Sequence, residues 1–394
     1  MKIKLGVIFG GETVEHEVSI ISALQAIKSI DKDKYDVVPI YISKDRTWYY
    51  GHILLDINTY KDIENTKKYL KEVTLYKKGD KFFLQQTTGL FRKDLTDLDV
   101  ILPVVHGNNV EDGTLAGYLD TIGIPYVSSR VLGSALGQDK VVMKQVMASC
   151  DIPIVEYTWF YDNEYLENKD EILKRIKKLG YPVVVKPATL GSSVGITYVK
   201  SEKDVRSAIE DAISYDVKVV VEKAVENLVE VNASVLGNYE IQKVSPIEEV
   251  MGEDEILSYQ DKYLSGSKTK GHGSKGMAST NRIIPARISD KLTKDIQETA
   301  IKVFKVLNLS SVCRIDFLID SKTNKFYVNE PNTIPGSLSF YLWKEDGLEY
   351  KELLNEMINS CIKEYKNRAR KTRSFESNIL QNFNGSKGTK GLKK

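Results

Sequence analysis

Four residues near the C-terminal end, Arg314, Asp316, Glu330 and Asn332, have types and spacing that bear directly on chemistry. Arg314 and Asp316 lie in SVCRIDFLID (Ser311 to Asp320), Glu330 and Asn332 in KFYVNEPNTIPG (Lys325 to Gly336), and SKTNK reads as the turn between them. Both runs carry the β-branched and aromatic content of strands. Side chains alternate faces along a strand, so Arg314 and Asp316 share one side, away from Cys313, Ile315 and Phe317, and Glu330 shares a side with Asn332. A hairpin closing around residue 323 sets Asp316 opposite Glu330 and Arg314 opposite Asn332. Opposed Cβ atoms are about 4.5–5.5 Å apart, and like charges there destabilise. Two carboxylates and an amide oxygen in that position require a hard divalent cation, best met by Mg²⁺ held together with substrate phosphates. The plainer alternative is a solvated hairpin face whose charges never meet.

Other segments offer complementary groups. After the apolar strand Leu5 to Phe9, Gly10-Gly11 turns the chain into ETVEHEVSIISALQAIKSI, where Val18, Ile21, Leu24 and Ile27 recur at helical spacing. Glu15, Ser19 and Ser22 line another face near the positive helix start, where Glu15 either holds a substrate ammonium or complements the dipole. FGGETV lacks the G-x-G-x-x-G dinucleotide pattern, and no G-x-x-x-x-G-K-[ST] P-loop occurs. Lys186 closes the Val-rich strand Pro182 to Pro187, and Gly191, Ser192, Ser193 and Gly195 follow as a donor-rich turn. Such a turn either folds its amides over phosphates or is a polar hairpin loop. HGNNVEDG follows the buried strand Val100 to Val105, where ligand sites of open α/β sheets gather; His106 there is a ligand contact or a structural loop histidine.

The elements that must position these groups follow from composition and periodicity. A chain of 394 residues, 42% hydrophobic and 28% charged, builds two or three soluble globular domains. A net charge of +2 points to neither nucleic acid nor an anionic membrane. Cys150, Cys313 and Cys361 have no metal-ligand spacing and suit a reduced, cytoplasmic setting. MKIKLGVIFGG lacks a signal peptide's apolar stretch, no long apolar run spans a membrane, and no internal repeat appears. Further strands are expected at Tyr35 to Ser43, Ile154 to Phe160, Ile196 to Val199 and Lys218 to Val221, with two hairpins in the irregular stretch Trp48 to Phe91, one turning at KKGD. Helices are expected at Thr114 to Thr121, through 130–150, and at Asp170 to Leu179, Ser289 to Leu307 and Glu349 to Ala369. EKAVENLVEVNASVLGN reads as a hinge whose backbone pairs with a base edge, Glu222 and Glu230 reaching polar groups. GEDEILSYQDKYLSGSKTKGHGSKGMASTNR has little apolar periodicity and the length of a lid, and FNGSKGTKGLKK is too polar to pack and should be disordered.

FGGETVEHEVSIISA, HGNNVEDGTLAGYL, the DK of LGSALGQDK, VVVKPATLGSSVG, SYQDKY, RIDF and NEPNTIPG, in that order across residues 3 to 365, resemble the D-alanine:D-alanine ligases, members of the ATP-grasp enzymes. The resemblance implies an α/β (α+β) fold of three domains. An open parallel sheet in residues 1–128 binds the first substrate; ATP-clamping subdomains occupy 129–215 and 216–370, with a lid at about 252–283 and a tail at 371–394. It implies ATP-dependent ligation of two D-alanines through an acyl phosphate for peptidoglycan precursors, by a cytoplasmic homodimer acting on small molecules, without nucleic acid or membrane. Asp316, Glu330 and Asn332 would hold two Mg²⁺ (or Mn²⁺) ions. Lys140 and Lys186, with Ser193 in the glycine-serine turn, would contact the α and β phosphates, and Lys262 the γ phosphate. Glu222, Lys223 and Val225 would meet the adenine and Glu230 the ribose. Glu15 would bind the first ammonium and join Ser192 and Tyr263 in a hydrogen-bonded set, with Val18, His106 and Ser337 near the substrates. Arg314 and the Gly336 N–H would hold the tetrahedral oxyanion. Ser192 with Tyr263 is the expected route for the incoming amine's proton.

The chain departs from the family pattern at Val110, where glycine is usual, in a Glu222 to Glu230 spacing one residue longer than the commonest, and in SLSFYLW after Gly336, where relatives bind the second substrate's carboxylate. Relatives that use D-serine or D-lactate share the ATP-side residues. Tyr263 favours D-alanine as acceptor, while His272 in the same segment keeps the lactate alternative open. A catalytically silent ATP-binding protein is the remaining alternative, against which Arg314, Asp316, Glu330 and Asn332 are all intact.

Overall fold

A computed structural model describes residues 2–251 and 282–372 of the chain. Lys262, Tyr263 and His272, the lid over 252–281 and the tail from residue 373 lie outside the described residues.

The first layer grows from β1 (Ile3–Gly10), buried from Leu5 onward, which pairs in parallel with β2 (Tyr35–Ile42) and β7 (Val100–Val104). Helix α1 (His16–Ser29) links β1 to β2 and buries Ala23, Leu24 and Ile27 against the sheet. Gly10 has φ 91°, and a Cβ there would stand 2.2 Å from the carbonyl oxygen of Ile42, so only glycine allows the turn. The expected parallel arrangement holds for β2-β1-β7. Beyond β2 the sheet continues through β3 (Trp48–Tyr50), β4 (Lys71–Lys78), β5 (Lys81–Gln86) and β6 (Asp94–Leu98) as an antiparallel meander. The KKGD turn explains the change of sense: two residues between β4 and β5 can close a hairpin but not a parallel crossover. A short helix, α2 (Ile63–Thr66), precedes β4, and α3 (Thr114–Ile122) follows β7.

The stretch 130–150 is two helices, α4 (Val131–Gln138) and α5 (Lys140–Ser149), rather than one. Asp139 breaks it by leaving the helical region and accepting the N–H groups of Val141 and Val142 at 2.9 and 3.1 Å, an N-cap that starts a new helix.

The second layer is β10-β9-β11-β8, formed by β8 (Tyr157–Tyr161), β9 (Val183–Pro187), β10 (Thr197–Val199) and β11 (Lys218–Lys223). The helices α6 (Asp162–Glu167), α7 (Lys169–Leu179) and α8 (Val205–Ile213) belong to this layer, where Ile172, Ile176, Ala208 and Ile209 join the β9 and β11 valines in one core. β11 pairs with both β8 and β9, so this layer ends after Lys223 and not at residue 215. The expected hinge is correspondingly shorter: β12 (Leu228–Gly237) is a full strand, leaving Ala224–Asn227 as the connection.

The third layer runs β15-β14-β12-β16-β17, with β13 (Gln242–Val244) also on β12. Its other strands are β14 (Glu248–Val250), β15 (Arg282–Ile283), β16 (Ser311–Asp320) and β17 (Lys325–Asn332). Helix α9 (Asp290–Val306), capped by Ser289, places Ile296, Ala300 and Val303 at i, i+4, i+7 against Val231, Ala233 and Val235. Met143 and Met147 of α5 enter this same core while Val141 packs on the second sheet, so α5 wedges between the layers instead of belonging to a central subdomain at 129–215. Helices α10 (Phe340–Lys344) and α11 (Tyr350–Ala369) close the chain against the first layer. No helix among the described residues is long and apolar enough to cross a membrane.

Candidate active site

The register of the β16–β17 hairpin sets Asp316 opposite Glu330 and Arg314 opposite Asn332. A bulge between Asp316 and Phe317 leaves Asn329 unpaired, and pairing resumes with Phe317 opposite Val328. Ser321 to Asn324 form the turn, one residue fewer than SKTNK, because Lys325 already pairs with Asp320.

Opposed carboxylates need positive charge, and each finds it in a side chain. Arg314 donates Nε–H and Nη2–H to the two oxygens of Asp316 at 2.7 and 2.8 Å. Lys140 lies 3.0 Å from Glu330 and donates to the Leu190 carbonyl at 2.6 Å. The Asn332 amide donates to Asp316 at 3.1 Å. Two carboxylates and an amide around a point that already draws cations are hard oxygen donors of the kind Mg²⁺ takes. Among the described residues no group of three His, Cys, Asp or Glu side chains could hold a metal ion, and the oxygen donors here are mixed, two carboxylates and an amide.

Next to the hairpin lies a polar cavity lined by Glu15, His106, Glu111, Lys140, Ser192, Arg314, Glu330, Asn332 and Gly336. Glu15 starts α1 and accepts the hydroxyl hydrogen of Ser192, bringing the first layer onto the glycine-serine loop. Ser192 and Ser193 hold left-handed φ of 54° and 60°, backbone strain that turns this loop inward. A second cleft of about 580 Å³ shares Glu330 with the polar cavity and is lined by Lys186, Ser193, Glu222, Lys223, Val225, Glu230 and Asp316. Glu222, 2% exposed, sits between Lys186 at 2.7 Å and Lys144 at 2.9 Å. Burial pushes its carboxyl up, but the two ammoniums outweigh that and hold it at about 2. The Lys223 ammonium is turned away, donating to the carbonyls of Gly180 and Tyr181 at 3.0 Å each, so it faces the cleft by its backbone.

Three expected substrate contacts are placed differently. Val18 is buried in α1 and lines neither cavity. Ser337 is 1% exposed and committed to the first layer: its N–H donates to Ser22 at 3.0 Å and its hydroxyl to Gln25 at 2.6 Å. His106 lines the cavity, but both ring nitrogens are used, Nδ1 toward the Ile334 carbonyl at 2.7 Å and Nε2 toward Ser22 at 3.2 Å. Burial lowers its imidazole to about 4, so it is neutral near pH 7, with Nδ1–H facing the carbonyl. These two bonds give His106 a structural role. It fastens the 334–339 loop, where Ser337, Leu338 and Ser339 take successive left-handed φ of 52°, 52° and 51°.

Glu111, Asn329 and Lys144 were not legible as site residues. Burial, and after it the charge of Glu15, raise the Glu111 carboxyl to about 7 while it accepts from Gly107, Thr333 and Ile334. Asn329 accepts from Lys186 at 3.1 Å, which strict strand alternation would forbid and the bulge permits. Lys144 stands four residues after Lys140 on α5, a spacing that puts both on one helix face and could have been noticed.

The chain matches two family models, D-ala D-ala ligase N-terminus over residues 4–129 and D-ala D-ala ligase C-terminus over residues 146–359. It is 39% identical over 382 residues to the D-alanine–D-alanine ligase of Thermosipho melanesiensis, covering 96% of this chain and 98% of that one. It is similar to the solved structure of VanG D-Ala:D-Ser ligase from Enterococcus faecalis, with TM-score 0.73, 29% identity and coverage of 92% and 100% of the two chains. It is also similar to D-alanine–D-alanine ligase from Bacillus anthracis complexed with ATP, with TM-score 0.65, 25% identity and coverage of 93% and 99%.

Proposed function

The chain belongs to the D-alanine–D-alanine ligase family and joins two D-alanines at the expense of ATP, a step of peptidoglycan synthesis, and from that premise we propose how its own residues carry the reaction. Glu15, bonded to Ser192, takes the ammonium of the first D-alanine. Lys140, Lys186 and the amides at Ser192 and Ser193 hold the α and β phosphates; Lys262 is assigned to the γ phosphate and Tyr263 to Ser192. Glu222, the Lys223 backbone and Val225 meet the adenine, and Glu230 the ribose. Asp316, Glu330 and Asn332 are the residues that would hold two Mg²⁺ or Mn²⁺ ions, which when bound neutralise charge on the transferring phosphoryl.

The carboxylate of the first D-alanine attacks the γ-phosphoryl, giving an acyl phosphate and ADP. The amine of the second D-alanine then attacks the acyl carbon, and phosphate leaves as the peptide bond forms. Arg314 and the Gly336 N–H steady the intervening oxyanion; a donor of this kind is worth about 2.7–4 kcal/mol. The shared cavity of Glu15, Ser192, Arg314 and Gly336, next to the opposed pair Asp316 and Glu330, is the observation that carries this reading.

The test supplies the purified protein with ATP, Mg²⁺ and D-alanine, then adds D-serine or D-lactate in turn. D-alanine alone should release phosphate and D-alanyl-D-alanine in equal amounts. Product only with D-serine or D-lactate would move the protein to the mixed-acceptor relatives. We also propose a cytoplasmic homodimer, tested by light scattering and cell fractionation.

A further inference from the structure

We propose that Lys144 is a nucleotide-positioning residue, the standing partner that keeps the Glu222 carboxylate paired when Lys186 turns to the phosphates. This rests on the assignment of Glu222 to the adenine and Lys186 to the phosphates. Lys144 comes from α5 and is 0% exposed, with Nζ 2.9 Å from one oxygen of Glu222; Lys186 from β9 holds the other at 2.7 Å. The two ammoniums are not equivalent. Lys186 also reaches Asn329 at 3.1 Å and feels the charges of Glu330 on β17 and Glu230 on β12, so it points along the cleft. Lys144 lies over the Tyr157 ring of β8 at 5.9 Å and lines no cleft wall. A carboxylate buried like Glu222 is costly to leave without a cation. With Lys144 in place, Lys186 can leave for the phosphates and a neutral pair remains beneath the base. Without it, nucleotide binding must protonate Glu222, because a buried charge left unpaired neutralises instead.

The experiment measures Kd for ADP with Mg²⁺ by calorimetry, for the native protein and Lys144→Met, between about pH 6 and about pH 9, together with KM for D-alanine. The variant-to-native ratio of Kd should climb with pH, by up to about tenfold per unit where a proton must be taken up, while KM for D-alanine stays within about twofold. A ratio independent of pH, or an equal loss for D-alanine, overturns the proposal. Glu222→Gln separates the two levels: if it binds ADP like the native protein, the adenine assignment fails; if it weakens binding while Lys144→Met does not, only the role of Lys144 fails. Where Lys144→Met does not fold, the double variant with Glu222→Gln, which removes one charge of each sign, carries the test. Its ratio should be flat with pH and its affinity equal to that of Glu222→Gln, and a further loss overturns the role.

Discussion

The carboxylate of Glu111 accepts the backbone N–H of Ile334 at 2.8 Å, tying together two loops 223 residues apart. With the Thr333 hydroxyl at 2.9 Å and the His106 and Ser22 contacts, it fastens the loop carrying Gly336 to the first layer. The oxyanion donor proposed above is therefore oriented from another layer of the molecule.

Glu111 should leave a pH signature in stability. Its carboxyl is raised in the fold to about 7 from an ordinary 4.5, so the folded protein holds a proton that the unfolded chain releases. The contribution is complete below about pH 4.5 and lost as pH rises through about 7, a change on the order of 3 kcal/mol. Glu111→Gln cannot titrate, so urea unfolding of the native protein relative to this variant should show that loss between pH 4.5 and 8, roughly. A constant difference would contradict it.

Arg314→Met should lower kcat by about 10²–10³-fold, as loss of an oxyanion donor does, with little change in KM for ATP. Arg314→Lys should restore little, because a single ammonium cannot reproduce the forked contact to Asp316. Steady-state kinetics with each substrate varied decides both.

Ser192→Ala removes a hydroxyl donated to the Glu15 carboxylate. A charged hydrogen bond is worth about 1.5–3 kcal/mol, so kcat/KM for D-alanine should fall about ten- to hundredfold. KM for ATP should hold, since the loop amides remain; an equal rise in both would place the serine's role in loop folding.

Chelation by EDTA should abolish turnover, and Mg²⁺ or Mn²⁺ should restore it. Asp316→Asn should fold, as judged by its melting curve, and stay inactive at any metal concentration. Residual turnover of that variant near native levels would remove Asp316 from the metal set.

Much of this was readable in the chain because it depends on neighbours. The alternation in RID and NEPN, the helical spacing after Gly10-Gly11 and the helix from Ser289 are encoded within a few residues, and the strands and α9 appear where the pattern puts them. What failed was local regularity broken by context. The bulge at Asn329 swings a residue onto the face that alternation denies it, and Asp139 ends a helix that apolar periodicity would continue. The family resemblance implies Ser337 as a substrate contact, yet Ser22 and Gln25 hold it.

The sequence by itself determined which residues can pair across the hairpin and which family the motifs belong to, since side-chain period and turn length act over a few bonds. Only the tertiary structure decided which groups share a cavity. Glu111 with Ile334, Glu15 with Ser192 and Lys144 with Glu222 are joined by the packing of separate layers. Burial in those contacts, which no local pattern carries, is what moves the Glu111 carboxyl to about 7 and leaves the His106 ring neutral.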